Sequence, residues 1–596
     1  MSSVPTIDNP QEAYYKNNMD INTFLQNKKA YLAYNNFRKQ IFSDLSPEDS
    51  ERILYMLPWM LSLNDPAVPG YVPDLAAPLT VHGVSEDTGI LKREGVFRNL
   101  LKINRPVSVK DKPDCAHVIH GLYTIGSIGT VSQTSGSDCD IWICIEKKDF
   151  SDIQFQQLVQ KTNLIKDWLD IYSRIPVYFF ICDVEDIRQS NFGSVDRESA
   201  GSTQTNTLKE EFYRTTIMIA GKIPLWWLCY NQDREMDYAT FLSRFGRGDF
   251  GGDGCLDLGA LDSVESEEYF GAALWFFNKA LTQPLKSIIK MLLLEMLISS
   301  PRHELLCHQF RSTILRREKD PQLIDPSTFT MEAVLKYHQK LDGQTFDFIK
   351  KCFYLRYEFK LNLKTTMKEI LGKEIFKRHP IPRQDIDQLN TFAAWPLEEQ
   401  IRFGQQVFDL LVDIYKRVSA MQQGGCGSVN PQDMNMIGRK LSVCLESRPG
   451  KILAFHRPLR NLNIPRLVFS IDNQKVWSAA TPDGRSIVAG PDLVYCITCL
   501  IWNGIYQPEL IKMTPNATSV TLQEINRLAE RIRDIFGVHD VSAIDFDYFT
   551  EPEKVTKMLI VVTFDGQSPD RDGHDFSVIY KNLWGEIFVS RFRTPA

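Results

Sequence analysis

An Asp-x-Asp pair at the start of an apolar run is the feature that most constrains how this chain folds. Asp138 and Asp140 open the run 141–145, whose isoleucines are typical of a buried strand. Because side chains alternate between the two faces of a strand, both carboxylates are expected on one face, with Cys139 and Ile141 on the core face. Neighbouring carboxylates repel each other unless a cation lies between them, and Mg²⁺ commonly takes one or two carboxylates together with phosphate oxygens. The pair therefore predicts a divalent-metal site at one end of a strand.

A glycine–serine pair precedes these aspartates, with Ser127 eleven positions before Asp138. Gly126 and Ser127 follow a β-rich run and precede the small-residue segment 128–137, which is expected to start a short helix. Glycine lets the backbone approach a phosphate closely, and the free amides at a helix N-terminus attract negative charge. We therefore expect Gly126 and Ser127 to hold the distal phosphates of a nucleotide.

A third acidic residue would complete a site of this design. Asp183 ends the apolar run 179–183 and is the best candidate for an acid at the end of a later strand. With three carboxylates, two metal ions roughly 3.5–4 Å apart activate an attacking hydroxyl and stabilise the leaving oxygen of an in-line displacement. The alternative is that the Asp-x-Asp is ordinary polarity at a strand edge and that Ser127 and the acids line turns. The order of the three features favours the metal site.

The hydrophobic pattern divides the chain into four segments. Helical spacing dominates a lead-in at 1–105 and returns at 256–423, whereas strands and helices mix at 106–255 and at 424–596. The expected strands are 117–125, 138–145, 176–184, 223–229, 452–456, 467–471, 493–502, 542–549 and 558–564. The clearest expected helices are 152–172, 208–220, 267–280, 285–297, 331–342, 346–361 and 397–419. The chain is predicted to be an α+β multidomain protein, since 596 residues exceed one core, which stops growing at roughly 250–300 residues.

Composition limits what the chain binds and where it acts. The net charge is −6, with 68 Lys and Arg against 74 Asp and Glu, so no general attraction to nucleic acid is expected. The first ten residues lack the basic start and apolar run of a signal peptide. The most apolar stretch, 287–299, contains Lys290 and Glu295 and is too short to cross a bilayer. The twelve cysteines are scattered without paired spacing. These features predict a cytoplasmic protein with no transmembrane segment.

The order Gly-Ser, Asp-x-Asp and a later acid resembles the signature of the DNA-polymerase-beta-like nucleotidyltransferases. More closely, the segment 121–144, GLYTIGSIGTVSQTSGSDCDIWIC, resembles the catalytic segment of the bacterial, enterobacterial-type class I adenylate cyclases. Further blocks that carry the resemblance are LP at 57–58, PGY at 69–71, GSTQ at 201–204, EFYR at 211–214, AGK at 220–222 with Trp226, LDL at 256–258, EEYFG at 267–271, PQD at 431–433, RKL at 439–441 and PGK at 449–451. The resemblance implies a polymerase-beta-like nucleotidyltransferase palm at 106–255, with a helical lead-in, an all-helical domain and a C-terminal α+β domain around it.

The same resemblance implies roles for the site residues. Asp138 and Asp140 would bind Mg²⁺-ATP, with Mn²⁺ as an alternative ion, and Ser127 would contact the phosphates. Ser137 and Trp142 would support this site. The implied reaction is attack of the ribose 3′-hydroxyl of ATP on its own α-phosphorus, which gives 3′,5′-cyclic AMP and pyrophosphate. Both reacting groups belong to one bound molecule, so the entropy of bringing two molecules together is saved. Asp183 is the candidate base.

Supporting side chains are expected along the triphosphate, because phosphoryl chemistry depends on positioning and positive charge. Arg214 and Lys222 flank the helix after Asp183, and Lys286 and Lys290 lie one turn apart on a later helix. These four are the candidate ATP contacts, and the alternative for each is a solvated surface charge. Trp142 shares the face of the aspartates if the strand is regular, so it either stacks on adenine or lies in the core beneath the site.

Two other functions stay open. A nucleotidyltransferase that moves AMP to a protein, RNA or small-molecule acceptor would use the same metal and triphosphate site, although the acidic balance disfavours RNA. A nucleotide-binding scaffold without turnover is the third alternative, and the intact set of serine and acids speaks against it. Class I cyclases usually continue into a large C-terminal regulatory region, whereas this sequence ends at Ala596. Regulatory partners of the sugar-phosphotransferase type would usually act through that region.

Overall fold

The computed structural model describes residues 19–111, 117–191, 205–232, 237–250, 254–299, 305–316, 324–361, 366–421, 431–456, 464–490, 492–515, 518, 520–540, 544–562 and 575–593. The contacts divide these residues into two compact units. The first comprises the described residues of Met1–Phe192, Thr205–Glu265 and Ser300–Ile381, and the second those of Ser266–Ser299 and Pro382–Ala596. Both units mix helices with strands, so the α+β prediction is confirmed, while the division into four segments stays a prediction.

Helices and short strands follow one another along the described part of the chain. The helices are α1 Ile21–Leu45, α2 Pro47–Glu51, α3 Leu57–Ser62, α4 Thr88–Leu100, α5 Asp152–Tyr172, α6 Val184–Arg188, α7 Thr205–Thr215, α8 Leu225–Leu228, α9 Tyr238–Gly246, α10 Ser266–Ala280, α11 Pro284–Ile298, α12 Leu306–Leu315, α13 Pro326–His338, α14 Gly343–Arg356, α15 Met367–Arg378, α16 Arg383–Asn390, α17 Leu397–Met421, α18 Pro431–Leu445, α19 Leu493–Trp502 and α20 Leu522–Phe536. The strands are β1 Ile119–Ile125, β2 Cys139–Ile145, β3 Val177–Asp183, β4 Met218–Gly221, β5 Ile223–Pro224, β6 Cys255–Leu256, β7 Leu467–Ile471, β8 Trp477–Ala480, β9 Ser486–Gly490, β10 Ile511–Met513, β11 Val555–Val562, β12 Asp575–Asn582 and β13 Ile587–Arg593.

A four-stranded sheet in the order β3-β2-β1-β4 forms the centre of the first unit. β2 and β3 are parallel, whereas β1 is antiparallel to both β2 and β4. Parallel neighbours need a crossover connection, and α5 supplies it between β2 and β3. The helix begins at a capping box formed by Ser151 and Gln154. Its apolar stripe, which includes Ile165, packs against the core face of the sheet with Ile141 and Ile143.

Helix α7 covers part of the opposite face of this sheet. The Phe212 ring stacks on Trp142 with ring centroids 4.5 Å apart and an angle of 6° between the rings. The edge of Phe212 also meets Tyr123 of β1, with centroids 5.7 Å apart. Trp142 is 4% exposed as a result. β1 and β2 are therefore buried along most of their length, with His120 and Asp140 half-buried near one end of each strand, whereas β3 is partly exposed beyond its first residue.

The fourth strand of the sheet lies where the sequence predicted the end of a helix. The helix expected at 208–220 ends at Thr215, and Met218–Gly221 forms β4 instead. Gly221 pairs with Gly121 of β1 and has a backbone φ of +104°. A Cβ atom on Gly221 would lie 2.4 Å from the Cα of Gly121, closer than any real contact. Glycine is thus required for β4 to approach β1.

The second unit surrounds a core built on helix α19. A four-stranded sheet in the order β10-β7-β8-β9 and a three-stranded sheet in the order β11-β12-β13 lie in this unit. Its core includes Phe469, Trp477 and Ile497. Among the helices, Arg417 of α17 forms an ion pair with the buried Glu295 of α11. No helix in the described part of the chain has the length and apolar character needed to span a membrane.

Two apolar runs predicted as strands are helices. Most of 223–229 forms the short helix α8, and 493–502 forms α19. Both runs are buried on all sides, so periodicity does not separate a strand from a helix. Asp492 marks the second of these helices, because its side chain accepts a hydrogen bond from the Val494 amide at the N-cap. The runs 452–456 and 542–549 also form no strand in their described residues.

Candidate active site

The two aspartates lie at the start of β2. Asp138 directly precedes the strand and Asp140 is its second residue, and both are half-buried. Cys139 and Ile141 are fully buried in the core of the unit. The predicted alternation is therefore confirmed for the core face. The two carboxylates fall on the opposite face, close to the surface.

The glycine–serine turn lies beside Asp140. β1 and β2 are antiparallel with Ile125 paired to Asp140, so Gly126, the next residue, begins the turn at the same end of the sheet. Gly126 has a φ of +94°, and the space where a Cβ would stand has no atom within 4 Å. The backbone there is thus open to a ligand. The Gly126 amide donates to the Thr215 hydroxyl over 3.0 Å, which fixes the turn to the end of α7.

Two serine hydroxyls connect the turn to the aspartates. Ser127 Oγ and Ser137 Oγ lie 3.0 Å apart, and Ser137 immediately precedes Asp138. Ser137 Oγ also accepts a hydrogen bond from the Thr134 amide over 3.0 Å. Ser137 is buried, whereas Ser127 is half-buried and closer to the surface. The structure therefore places Ser127 and Ser137 at the end of the sheet where the two aspartates lie.

The segment 128–137 is a chain of turns and contains no helix, so the expected helix N-terminus is wrong. Successive turns close with hydrogen bonds from the Thr130 amide to Ser127 O, from Gln133 to Thr130 O and from Ser137 to Thr134 O, each 3.1 Å long. Serine and threonine side chains compete with the backbone for hydrogen bonds, which favours turns over helix. Any phosphate contact here would use the turn amides and hydroxyls.

A buried arginine, which sequence reasoning missed, holds this turn segment in place. Arg38 of α1 is fully buried and donates to the carbonyl oxygens of Ile128 (2.8 Å), Gly129 (2.7 Å) and Thr215 (2.8 Å). Nearby, Asp325 accepts from the Val131 amide over 3.0 Å. Burial raises the pKa of the Asp325 carboxyl, against the opposing effect of the Arg38 charge. An arginine on a polar helix looks like a surface charge, so the sequence carries no signal for this role.

Two further cations, also missed, reach the same segment from α14 and α15. Arg356 Nη1 donates to Ser132 O over 3.1 Å, and Lys368 Nζ donates to Gln133 O over 2.7 Å. Burial lowers the pKa of Lys368 to about 8. Burial also lowers the pKa of Arg356, although Tyr357, Glu358 and, most weakly, Asp138 partly offset this effect. Both residues follow the Asp-x-Asp pair by more than 200 positions, so no local spacing could have found them.

Asp183 does not join the other two aspartates. β2 and β3 are parallel, with Asp140 paired to Tyr178 and Ile145 paired to Asp183. Five residues of strand therefore separate Asp183 from the level of Asp140, which is roughly 16 Å at about 3.3 Å per residue. The Asp183 carboxylate instead caps α6 by accepting from the Glu185 amide. The prediction that Asp183 is a third metal ligand and the base is therefore wrong. Because β3 runs parallel to β2, its last residue lies at the opposite end of the sheet from Asp140.

Arg214 is buried in an ion pair. Its guanidinium contacts both carboxylate oxygens of Glu210 at 3.0 Å and donates to the Thr330 hydroxyl over 2.8 Å. Burial opposes the positive charge, but the pairing with Glu210 raises the pKa of Arg214 overall. The structure thus gives Arg214 a packing role between α7 and α13 in place of the predicted phosphate contact.

Lys222 lies at the other end of β1 from the aspartates, and the predicted pair Lys286 and Lys290 belongs to the second unit. The Lys222 amide donates to His120 O over 2.9 Å at the start of β1, whereas Asp140 lies beside the end of that strand. Lys286 and Lys290 lie on α11 of the second unit, and the Lys290 ammonium lies 5.5 Å from the centre of the Phe276 ring. For these two lysines the ATP contact stays a prediction.

Trp142 is a buried core residue, which is the alternative to stacking on adenine. One face of its indole is covered by Phe212, and little of the side chain is exposed. The same stack places α7 and Thr215 behind the Gly126 turn. Trp142 is therefore a buried residue of the strand that carries Asp140.

The donor set at the start of β2 fits a magnesium ion as part of a larger coordination shell. Among the described residues, no group of three or more His, Cys, Asp or Glu side chains is arranged to hold a metal. Mg²⁺ keeps several ligands from water and substrate phosphates, so two carboxylates are enough when a nucleotide supplies the others. Asp138 and Asp140 are the residues that would hold the ion.

Comparison with known proteins assigns the chain to a family. Residues 23–227, which contain the whole cluster around Asp138, match a model described as "Adenylate cyclase NT domain". Residues 264–456 match "Adenylate cyclase, class-I, second domain". Both models describe adenylate cyclase domains, and together they cover more than half of the chain. The chain belongs to the class I adenylate cyclase family.

Curated relatives named adenylate cyclase are longer than this chain. The protein of Escherichia coli O6:H1 is 30% identical over 431 residues, which cover 70% of this chain and 50% of the relative. The Haemophilus influenzae protein is 27% identical over 521 residues, 82% of this chain and 60% of the relative. The Pasteurella multocida protein is 27% identical over 605 residues, 92% of this chain and 70% of the relative. The chain thus spans about half the length of the first of these relatives. No solved structure matches.

Proposed function

We propose that this chain converts Mg²⁺-ATP into 3′,5′-cyclic AMP and pyrophosphate at the Asp138–Asp140 pair. The family and the names of its relatives support an adenylate cyclase. The observation that carries the proposal is the pairing of Ile125 with Asp140, which puts the open Gly126 turn next to both carboxylates. In this proposal the four-stranded sheet serves as a polymerase-beta-like palm.

Each residue of the cluster has a separate role in this proposal. Asp138 and Asp140 hold Mg²⁺, which, when bound, neutralises phosphate charge and eases deprotonation of a hydroxyl. Ser127 and the Gly126 turn bind phosphate oxygens, because the hydroxyl is half-exposed and the backbone in front of the glycine is open. Ser137 fixes Ser127 through their 3.0 Å contact. Arg38 keeps the turn in one conformation from behind.

The reaction is an intramolecular displacement. The ribose 3′-oxygen forms a bond to the α-phosphorus while the bond from that phosphorus to the oxygen bridging the β-phosphate breaks. The bonding electrons leave with pyrophosphate, and the hydroxyl proton passes to water at this half-exposed edge. Orientation of the ribose against the α-phosphate supplies much of the rate, since effective molarities in such reactions reach roughly 10⁵–10⁸ M.

The position of Asp183 bears on how many ions the described carboxylates could hold. Asp183 lies at the far end of the parallel strands, so among the three predicted acids only Asp138 and Asp140 lie at the start of β2. We propose one Mg²⁺ ion on Asp138 and Asp140. A second ion, as in a two-metal mechanism, would take its other ligands from the triphosphate and water.

The fate of the label in α-labelled ATP tests the proposal. The purified chain is incubated with Mg²⁺ and the labelled nucleotide, and the products are separated. We expect the label in cyclic AMP with an equal amount of pyrophosphate. Label in a protein, RNA or small molecule would indicate transfer of AMP to an acceptor. Bound ATP without product would indicate a scaffold, and either result would contradict the cyclase proposal.

A further inference from the structure

Arg356 reaches the turn segment between Ser127 and Asp138 from the end of helix α14. It is the last residue of α14 and belongs to the same unit as β1 and β2. Its guanidinium contacts the turn segment between Ser127 and Asp138 through a single hydrogen bond, from Nη1 to Ser132 O at 3.1 Å. Arg356 thus contacts the middle of the segment that joins Ser127 to Asp138, two of the residues that we propose to bind Mg²⁺-ATP.

Most of the donors of this guanidinium are not used by the protein. An arginine carries five N–H donors in a planar fork. Within the described part of the chain, Nε and Nη2 of Arg356 donate to no protein group, and neither is enclosed away from solvent. The side chain is half-buried, so the cation has lost part of its hydration without gaining protein acceptors. Such a group favours an incoming anion with several oxygens.

Arg356 forms no direct ion pair among the described residues. Negative charge on Glu358 and, more weakly, on Asp138 acts on its guanidinium, yet no carboxylate oxygen of the described residues lies within 4.0 Å of its nitrogens. Buried Arg214, in contrast, contacts Glu210 at 3.0 Å. A metal-bound phosphate held at Asp138 would offer oxygens to a guanidinium that reaches the same turn segment. Lys368, hydrogen-bonded to the neighbouring carbonyl oxygen of Gln133, adds a second positive charge on this segment.

We propose that Arg356 binds the β- and γ-phosphates of ATP, the part that leaves as pyrophosphate. This inference rests on the proposed function, because it assumes that the triphosphate lies across Asp138, Asp140 and Ser127. Negative charge builds up on the bridging oxygen and the β-phosphate as the bond to the α-phosphorus breaks. The guanidinium of Arg356 donates hydrogen bonds to those oxygens and so stabilises the pyrophosphate leaving group.

Binding of Mg²⁺-pyrophosphate by the full-length chain tests the inference directly. Isothermal calorimetry compares the parent chain with Arg356→Gln and Arg356→Lys. We expect Arg356→Gln to weaken binding about 10- to 100-fold, since a bidentate charged contact is lost, and Arg356→Lys to restore only part of it. The matched control is Arg378→Gln on α15, whose partly exposed arginine lies 3.6 Å from Glu332. This control should bind as the parent does.

Turnover adds a second measurement. Arg356→Gln should raise the KM for ATP, lower kcat and weaken product inhibition by pyrophosphate, whereas a purely structural role would leave product inhibition unchanged. Unchanged pyrophosphate affinity in Arg356→Gln would overturn the inference. If that variant melts early, Arg356→Lys decides, because it keeps a donor for Ser132 O: normal melting with weakened binding supports the inference, and parent-like binding overturns it.

The two proposals fail in different ways. A parent chain that makes no cyclic AMP but binds Mg²⁺-pyrophosphate through Arg356 contradicts the cyclase function alone. A parent chain that makes cyclic AMP while Arg356→Gln behaves as the parent contradicts the role of Arg356 alone.

Discussion

Single buried charges decide the shape of the loop between Ser127 and Asp138. Arg38 donates to the carbonyl oxygens of Ile128, Gly129 and Thr215, and all three bonds are buried. A buried carbonyl that loses its donor costs roughly 1–3 kcal/mol. The loop that carries the proposed phosphate contacts therefore depends on a fully buried side chain of another element, α1.

Replacing Arg38 tests this dependence. Arg38→Met should lower the free energy of unfolding by about 3 kcal/mol or more and reduce cyclic AMP formation, because three carbonyls lose their donor at once. Urea denaturation measures the first effect. The matched control is Lys29→Met on the same helix, where the lysine is exposed and the change should stay within about 0.5 kcal/mol. An Arg38→Met chain as stable as the parent would show that the loop keeps its conformation without Arg38.

The aspartate pair and the glycine–serine turn could be predicted from the sequence, since both motifs are local and strand alternation fixes their faces. The cations around them could not. Arg38, Arg356 and Lys368 lie in three helices far along the chain from the motif. Each looks like a solvent-exposed charge until the tertiary fold places a backbone carbonyl in front of it.

At the scale of elements, the sheet and the helix behind it fix the site. Trp142 of β2 and Phe212 of α7 stack at 4.5 Å and hold the helix whose last residue, Thr215, binds the Gly126 amide. The strand directions also decide which acids meet. Because β1 is antiparallel to β2, its end lies beside Asp140, while the parallel β3 carries Asp183 to the far end.

Substitutions of Trp142 separate its packing role from adenine binding. Trp142→Ala should lower the free energy of unfolding by about 3–5 kcal/mol, because a buried aromatic stack is replaced by a cavity. Trp142→Phe keeps a ring against Phe212 and should lose less stability and leave the KM for ATP near that of the parent. Thermal melting and steady-state kinetics measure both. A large rise in KM without loss of stability in Trp142→Ala would instead indicate contact with adenine.

Strand direction is the reason that the third acid was assigned wrongly. A sequence shows that 179–183 is apolar and ends in an acid, but it does not show whether that strand runs parallel or antiparallel to its neighbour. Apolar runs such as 493–502 are a different case, because a run that is buried on nearly every side carries no periodicity to separate a helix from a strand, and this run forms a helix. Strands with alternating or well-bounded patterns, such as Leu467–Ile471, were predicted with the observed bounds.

At the scale of the whole molecule, buried lysines in the first unit make stability depend on pH. Burial lowers the pKa values of Lys39, Lys209 and Lys368 to about 8 each, from 10.5 in water. Between these two values the unfolded chain binds more protons than the folded chain. Stability contributed by these lysines therefore rises as the pH increases from about 8 to 10.5, and it is constant below about 8.

A variant of Lys368 isolates one part of this pH dependence. The difference in free energy of unfolding between the parent and Lys368→Met should increase in favour of the parent by about 3 kcal/mol from pH 7.5 to pH 10.5. Urea denaturation at both pH values gives this difference. The loss of the hydrogen bond to Gln133 O has the same effect at both pH values and therefore cancels. A difference that does not change with pH would show that Lys368 keeps an ordinary pKa in the fold.

The central claim is that Asp138 and Asp140 form the metal and ATP site at the start of β2. The most direct measurement is the rate of cyclic AMP formation by Asp138→Asn, Asp140→Asn and the matched control Asp183→Asn, with melting curves to show that each chain folds. Asparagine also caps helices well, so the control should fold normally. We expect both first variants to lose at least about 10³-fold in rate with parent-like melting, while Asp183→Asn retains most of the activity. Near-normal activity in Asp138→Asn or Asp140→Asn, or its loss in Asp183→Asn alone, would contradict the account.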